Sequence, residues 1–119
     1  MFGEILQGIV EEAGGGISAS LMGYDGIAIE QFEQPCDGID LQLVAVEYAN
    51  VLKEIKQTAG ILNAGVMEEV AIGTQRFWVL IRALSEDYFV TLTLHRDGNF
   101  GKARYLLNRE AGRLREALT

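Results

Sequence analysis

The chain has 119 residues, of which 49% are hydrophobic and 23% charged, and this composition suits one domain that buries a core along nearly its whole length. Its formal net charge of −7 excludes non-specific nucleic-acid binding, which requires a surplus of Lys and Arg. No segment approaches the roughly 18 apolar residues of a membrane span, and residues 1–12 lack the pattern of a secretory signal. The lone Cys36 cannot form an internal disulfide. We therefore expect a single domain, residues 1–119, in the reducing cytoplasm.

The basic residues are unevenly distributed along the chain. Residues 1–51 contain no Lys or Arg, whereas Arg and Lys residues crowd the segment from Arg96 to Arg115. This layout is typical of a solvated helix with an ordinary basic surface. It would also orient a charged partner or a second subunit.

Hydrophobic spacing divides the first part of the chain into a helix and a hairpin. Phe2, Ile5 and Ile9 recur at helical steps, and residues 14–16, all glycine, end that helix. These glycines lack the Gly-Lys-Ser/Thr ending of a phosphate-binding loop, so no nucleotide site is predicted there. Alternation over residues 17–22 indicates a strand, and Asp25-Gly26 predicts a tight turn into a second strand over residues 26–32.

The longest helix is predicted over residues 40–59, with Asp40 as its N-terminal cap. One broad apolar face of this helix is expected to pack on the sheet. On nearly the opposite side lie Leu43, Val46, Asn50 and Lys53. The two aliphatic residues in that set are either covered by another molecule or are scattered surface hydrophobics, and the sequence leaves both interpretations open.

Three strands and a final helix follow. The strands are predicted over residues 65–73, 76–84 and 88–95, and the short turns between them indicate an antiparallel meander. Its middle strand is almost continuously apolar, which predicts cover on both faces. The strand over residues 65–73 has mixed polarity and is predicted to be an edge strand, which pairing with a second copy would protect. A helix over residues 99–118 completes the order α-β-β-α-β-β-β-α of an α+β domain.

This order resembles that of the roadblock/LC7 family over nearly the whole chain. The most specific part is the segment GISASLMGYDGIAI at residues 16–29, which is similar to the first hairpin of the family with its Asp-Gly turn. The long middle helix, the strand over residues 65–73 and Asp97-Gly98 before the last helix agree with the resemblance. It implies a profilin-like fold, with a five-stranded antiparallel sheet and three helices.

The resemblance also implies a homodimer and a partner. In the family, the third strands of two copies join into one sheet and the middle helices lie side by side. The residues expected at that dimer interface are Val66, Glu68, Val70, Ile72 and Ala49, and those expected to bind a partner are Leu43, Val46, Asn50 and Lys53. Family members bind small Ras-like GTPases, scaffold signalling complexes or serve as dynein light chains. A free-standing domain such as this one is most similar to bacterial gliding-motility regulators, which act on a Ras-like GTPase as its activating partner.

An enzyme, a metal site and a cofactor site are not predicted. His95 and Cys36 are each unique in the chain, too few for a zinc site, and a Cys-His catalytic pair would also need an orienting third group. The carboxylates of Glu68 and Glu69 are expected on opposite faces of a strand, so they do not form an acid-base pair.

Two further hypotheses remain open at this point. The chain would be a small-molecule sensor or a hetero-partner adaptor without GTPase activity if Phe77, Trp78, Tyr88 and Phe89 lined a pocket rather than the core. A GTPase regulator of this kind would either leave catalysis to the GTPase or supply an arginine itself. Arg76 and Arg82 are the candidates for such an arginine.

Overall fold

The computed structural model describes all 119 residues and contains three helices and five strands. In chain order they are α1 (Phe2–Glu12), β1 (Gly16–Gly23), β2 (Ala28–Glu33), α2 (Leu41–Ile61), β3 (Glu69–Gly73), β4 (Phe77–Ala83), β5 (Tyr88–His95) and α3 (Phe100–Leu118). The strands form one sheet in the spatial order β2-β1-β5-β4-β3, with every neighbouring pair antiparallel. The predicted order of elements is confirmed. β2 and β3 are the two edges.

The helices divide unequally between the faces of the sheet. α1 and α3 cover one face, where a cluster of 17 buried residues includes Leu6, Leu80 and Leu106. α2 lies alone on the other face, over a smaller cluster of 8 buried residues that includes Leu52, Ile81 and Phe89. One helix cannot cover a five-stranded sheet, because a helix is about 10 Å wide and strands lie about 4.8 Å apart. The α2 face is therefore the less completely covered one.

Close packing holds the turn between α1 and β1 against the turn before α3. Gly15 has a φ of +85°, and a β-carbon on it would lie 2.9 Å from the Cα of Gly98. The backbone amide of Asn99 donates to the carbonyl of Gly14 at 2.7 Å, and that of His95 donates to Gly15 at 2.9 Å. The glycines that end the first helix thus also bring α1 and α3 together on one face.

The predicted helix starts agree with the structure, and the start of β3 does not. At the N-terminus of its helix, the Asp40 side chain accepts hydrogen bonds from two backbone amides and the Asn99 side chain from one. β3 begins at Glu69, four residues later than predicted, because Gly65 takes a φ of +93° and the chain after it runs outside the ladder. Val66 is 86% exposed in this connection, so the prediction that it belongs to the strand was wrong.

Replacing Asp40 by Ala is expected to lower the free energy of unfolding by about 1 kcal/mol, because its carboxylate accepts from two otherwise free amides at the start of α2. Those amides are Gln42 N–H at 3.1 Å and Leu43 N–H at 3.2 Å. Urea denaturation of the two proteins at equal concentration measures the difference. Asp40→Asn, which retains the accepting oxygen, is the control and should keep most of the stability. Equal losses in the two variants would contradict a capping role.

Candidate protein-interaction surface on α2 and β3

β3 presents an unpaired edge of backbone groups to solvent. The Thr74 amide donates to the Phe77 carbonyl across the β3–β4 turn. Because pairing alternates along an antiparallel ladder, the amides of Val70 and Ile72 face β4, and those of Glu69, Ala71 and Gly73 face outward. No strand of the protomer covers this side. An added strand would therefore find a row of free donors and acceptors.

One face of β3 makes apolar contacts and the other makes an ion pair. Val70 and Ile72 are half-buried and pack beneath α2. On the opposite face, the Glu69 carboxylate accepts from Arg104 of α3 at 2.6 and 2.8 Å. This hydrogen-bonded pair raises the pKa of Arg104 above its ordinary value and ties β3 to α3. The edge strand is thus held in place from both sides before any partner binds.

α2 exposes two groups of hydrophobic residues beyond its buried side. The first is the predicted set, in which Leu43 is 50% and Val46 39% exposed, with Asn50 and Lys53 also exposed. The second lies along a groove of about 430 Å³ that contains Val51, Ile55 and Leu62. Val51 is 47% and Leu62 70% exposed, while Ile55 is half-buried and packs on the same cluster as Val70. We call this second group, Val51, Ile55 and Leu62, the groove residues.

Comparison with solved structures identifies the family of this chain. MglC from Myxococcus xanthus has 36% sequence identity to it, with 96% of each chain covered and a TM-score of 0.69. A roadblock/LC7 domain from Streptomyces avermitilis has 16% identity, coverage of 97% of this chain and 95% of the other, and a TM-score of 0.76. The chain belongs to the roadblock/LC7 family. The gliding protein MglB from Thermus thermophilus gives a TM-score of 0.83 at 18% identity, with 95% and 84% covered. Neither the family models nor the curated proteins gave a match.

One residue predicted for the dimer interface of this roadblock domain lies inside the protomer instead. Ala49 is 1% exposed and packs in the smaller core cluster beneath α2. It follows Ala45 by four residues and precedes Leu52 by three, which places all three on one face of the helix. That spacing was visible in the sequence, so the assignment of Ala49 to an intermolecular contact is corrected here.

The groove residues were missed as a set by the sequence analysis. Val51 and Leu62 were not assigned to a site, and Ile55 was assigned to the sheet-facing side. Their spacing of four and seven residues is helical, but sequence alone does not show which flank of α2 is left uncovered. Among the other predicted interface residues, Glu68 is exposed and lies 3.7 Å from Arg82, while Val70 and Ile72 are half-buried.

The side chains considered for catalysis or for an arginine finger make contacts within the protomer, and His95 and Cys36 do not contact each other. His95 stacks on Phe77, whereas the Cys36 thiol faces only the Asp37 carbonyl at 3.9 Å. The Arg76 guanidinium donates to the carbonyls of Asp37 and Gly38 at 3.2 and 3.3 Å. Arg82 has a side chain only 21% exposed, beside Glu68. Releasing Arg76 would break its two hydrogen bonds, and releasing Arg82 would break its ion pair with Glu68.

The aromatic residues considered for a sensor pocket belong mainly to the core. Phe89 is completely buried and Phe77 is 8% exposed. The Trp78 ring packs against Phe100 at 4.6 Å and under the guanidinium of Arg96 at 4.0 Å. In addition, none of the three helices has the length and hydropathy required to cross a membrane.

Proposed function

We propose that this roadblock domain forms a homodimer through β3 and the adjoining flank of α2, and that the joint α2 surface binds a small Ras-like GTPase as its regulatory partner. The observation that carries the proposal is the unpaired β3 edge together with the exposed groove residues, of which Ile55 packs on the same buried cluster as Val70 of β3. A backbone edge and an apolar helix flank side by side are complementary to their own copies about a two-fold axis.

The dimer would complete both surfaces at once. Two β3 strands paired antiparallel use the outward amides of Glu69, Ala71 and Gly73 and produce a continuous sheet of both copies. The same operation places the α2 helices side by side, where the groove residues lose their contact with water. Val51 and Leu62 are large exposed hydrophobics, and such residues gain most from burial in an interface.

The GTPase would bind across the outer side of the paired α2 helices. Leu43 and Val46 supply exposed apolar contacts there, and Asn50 and Lys53 supply polar ones at its rim. We expect the dimer to clamp the switch segments of the GTPase and to favour their hydrolytic conformation. Because Arg76 is already bound to backbone carbonyls and Arg82 is largely buried, the catalytic arginine would come from the GTPase itself.

Light scattering after size-exclusion chromatography tests the dimer, with Ala71→Pro as the variant. Proline removes the outward amide at the centre of β3 and leaves the β3–β4 hydrogen bonds intact. We expect the wild type to elute as a dimer and Ala71→Pro as a monomer at the same concentration. Ala71 is more suitable than Val70, because Val70 packs beneath α2 in its own protomer.

Ala71→Thr is the matched control, since it adds a side chain but keeps the amide, and it should remain dimeric. If the Ala71→Pro protein is still a dimer, β3 is not part of the dimer interface. A monomeric wild type would reject the homodimer and favour the hetero-partner adaptor instead. Pull-down with a GTP-loaded Ras-like GTPase then tests the partner separately.

A further inference from the structure

The edge of the sheet opposite β3 has the features of a second docking site. β2 is six residues long, contains no proline and leaves Ala28, Ile29, Glu30 and Glu33 exposed. Its outer side is not paired with any strand. In a dimer formed through β3, this edge would lie at both ends of the continuous sheet, so it remains available whatever happens at β3.

The ladder shows which backbone groups point outward. The Gln34 amide donates to the Ile17 carbonyl of β1 at 2.8 Å, so the Phe32 amide also faces β1, whereas the amides of Gln31 and Glu33 face away from the sheet. The Gln31 amide confirms this direction, because the side chain of Glu30 folds along the outer edge and accepts it at 3.0 Å. A carboxylate thus occupies a position that the carbonyl of an added strand would take.

The negative charge of the β2 edge favours an added strand that carries positive charge. Glu30 and Glu33 form no ion pair, and no Lys or Arg occurs before Lys53. Three arginines of α3 are paired with other carboxylates: Arg104 with Glu69, Arg109 with Glu12 and Arg113 with Glu110. The domain therefore has unneutralised carboxylates at a free strand edge.

A second copy of the chain does not fit this edge. Two β2 strands placed together would gather the Glu30 and Glu33 carboxylates of both copies along one shared edge, and the accumulated like charge disfavours that pairing. We propose that the β2 edge binds an extended, basic segment of another protein by strand addition, with Lys or Arg at alternate positions. Its cations would then share the face of Glu30, while Glu33 lies on the opposite face of β2. An incoming cation would draw the Glu30 carboxylate from the Gln31 amide, which then becomes free to donate to the new strand.

Fluorescence anisotropy with a labelled peptide that alternates Lys and Val tests this site. We expect the wild type to bind this peptide and not its counterpart that alternates Glu and Val. The double variant Glu30→Lys/Glu33→Lys should bind at least about tenfold more weakly, because the charge-assisted contact at Glu30 is replaced by repulsion and the other carboxylate of this edge, Glu33, is reversed as well. Gln31→Pro should bind about fivefold more weakly, since only one backbone hydrogen bond is lost.

Two controls separate strand addition from general attraction to an acidic protein. Glu11→Lys/Glu116→Lys makes the same change in net charge at exposed helix positions, and it should keep the wild-type affinity within about twofold at physiological salt. A peptide of the same composition with its lysines in one block should bind more weakly than the alternating one. Hydrogen exchange should slow at the Gln31 and Glu33 amides when the alternating peptide is bound.

Equal losses in the two charge-reversal variants, or equal binding of the two lysine peptides, would overturn the proposal. The Ala71→Pro protein should bind the alternating peptide as tightly as the wild type does. This last measurement keeps the β2 site distinct from the homodimer, because either one can fail without the other.

Discussion

Leu43→Arg is expected to weaken binding of the Ras-like GTPase at least about 100-fold, because an unpaired charge in a desolvated interface costs several kcal/mol. Leu43 is 50% exposed on α2 and is not part of either buried cluster. The substitution should therefore leave the melting temperature and the oligomeric state unchanged. Val46→Arg, one turn further along the helix, should give the same pattern.

Titration of each variant into a GTPase loaded with a non-hydrolysable GTP analogue measures this effect. Tyr105→Arg is the matched control, because it places an arginine at a residue that is 60% exposed on α3, across the sheet from α2. It should bind as the wild type does. Wild-type affinity in both α2 variants would show that the GTPase does not contact Leu43 and Val46, even if the homodimer itself is confirmed.

Phe89→Ala is expected to lower the free energy of unfolding by about 3–5 kcal/mol, the range for removing a fully buried aromatic ring. Phe89 has no exposed surface, and its ring lies 4.9 Å from that of Tyr24 on the α2 face of the sheet. Burial raises the pKa of that Tyr24 phenol above its ordinary value. Truncation at Phe89 would leave a cavity beneath α2, since only one helix covers this face.

Urea denaturation followed by circular dichroism measures the loss, with all proteins at one concentration because dimerisation would add to the apparent stability. Tyr105→Ala, at an exposed position, is the control and should change the free energy of unfolding by less than about 0.5 kcal/mol. A loss below about 1 kcal/mol for Phe89→Ala would mean that α2 does not seal this face against β5.

Local signals in the sequence determined most of the elements of this protein. The helical spacing at Ile5 and Ile9 predicted α1, Asp25-Gly26 predicted the first hairpin, and Asp40 predicted the start of α2. Each of these depends on interactions between residues that are close along the chain, such as a capping carboxylate and the amides two and three residues later. The resemblance to the roadblock/LC7 family depended on the same local pattern and supplied the fold.

The tertiary structure alone decided how the hairpin and the meander join. β1 pairs with β5, with Ala19 opposite Leu92, and no local pattern encodes a pairing between segments so distant in the chain. That pairing makes β2 and β3 the edges. It also buries Ser20 and Thr91 beside each other in the sheet, where hydrophobicity alone does not place them.

For the candidate interaction surface, too, part could be predicted from the sequence and part depended on the tertiary structure. Leu43 and Val46 were recognisable from the sequence because they lie opposite a strongly apolar helix face. The exposure of the groove residues, in contrast, depends on where α2 lies across the sheet. The burial of Ala49 depends on how closely α2 approaches the sheet. The sequence by itself therefore determined which elements form and which helix face is apolar. The packing of one helix on a sheet too wide for it decided which hydrophobic residues remain for a partner.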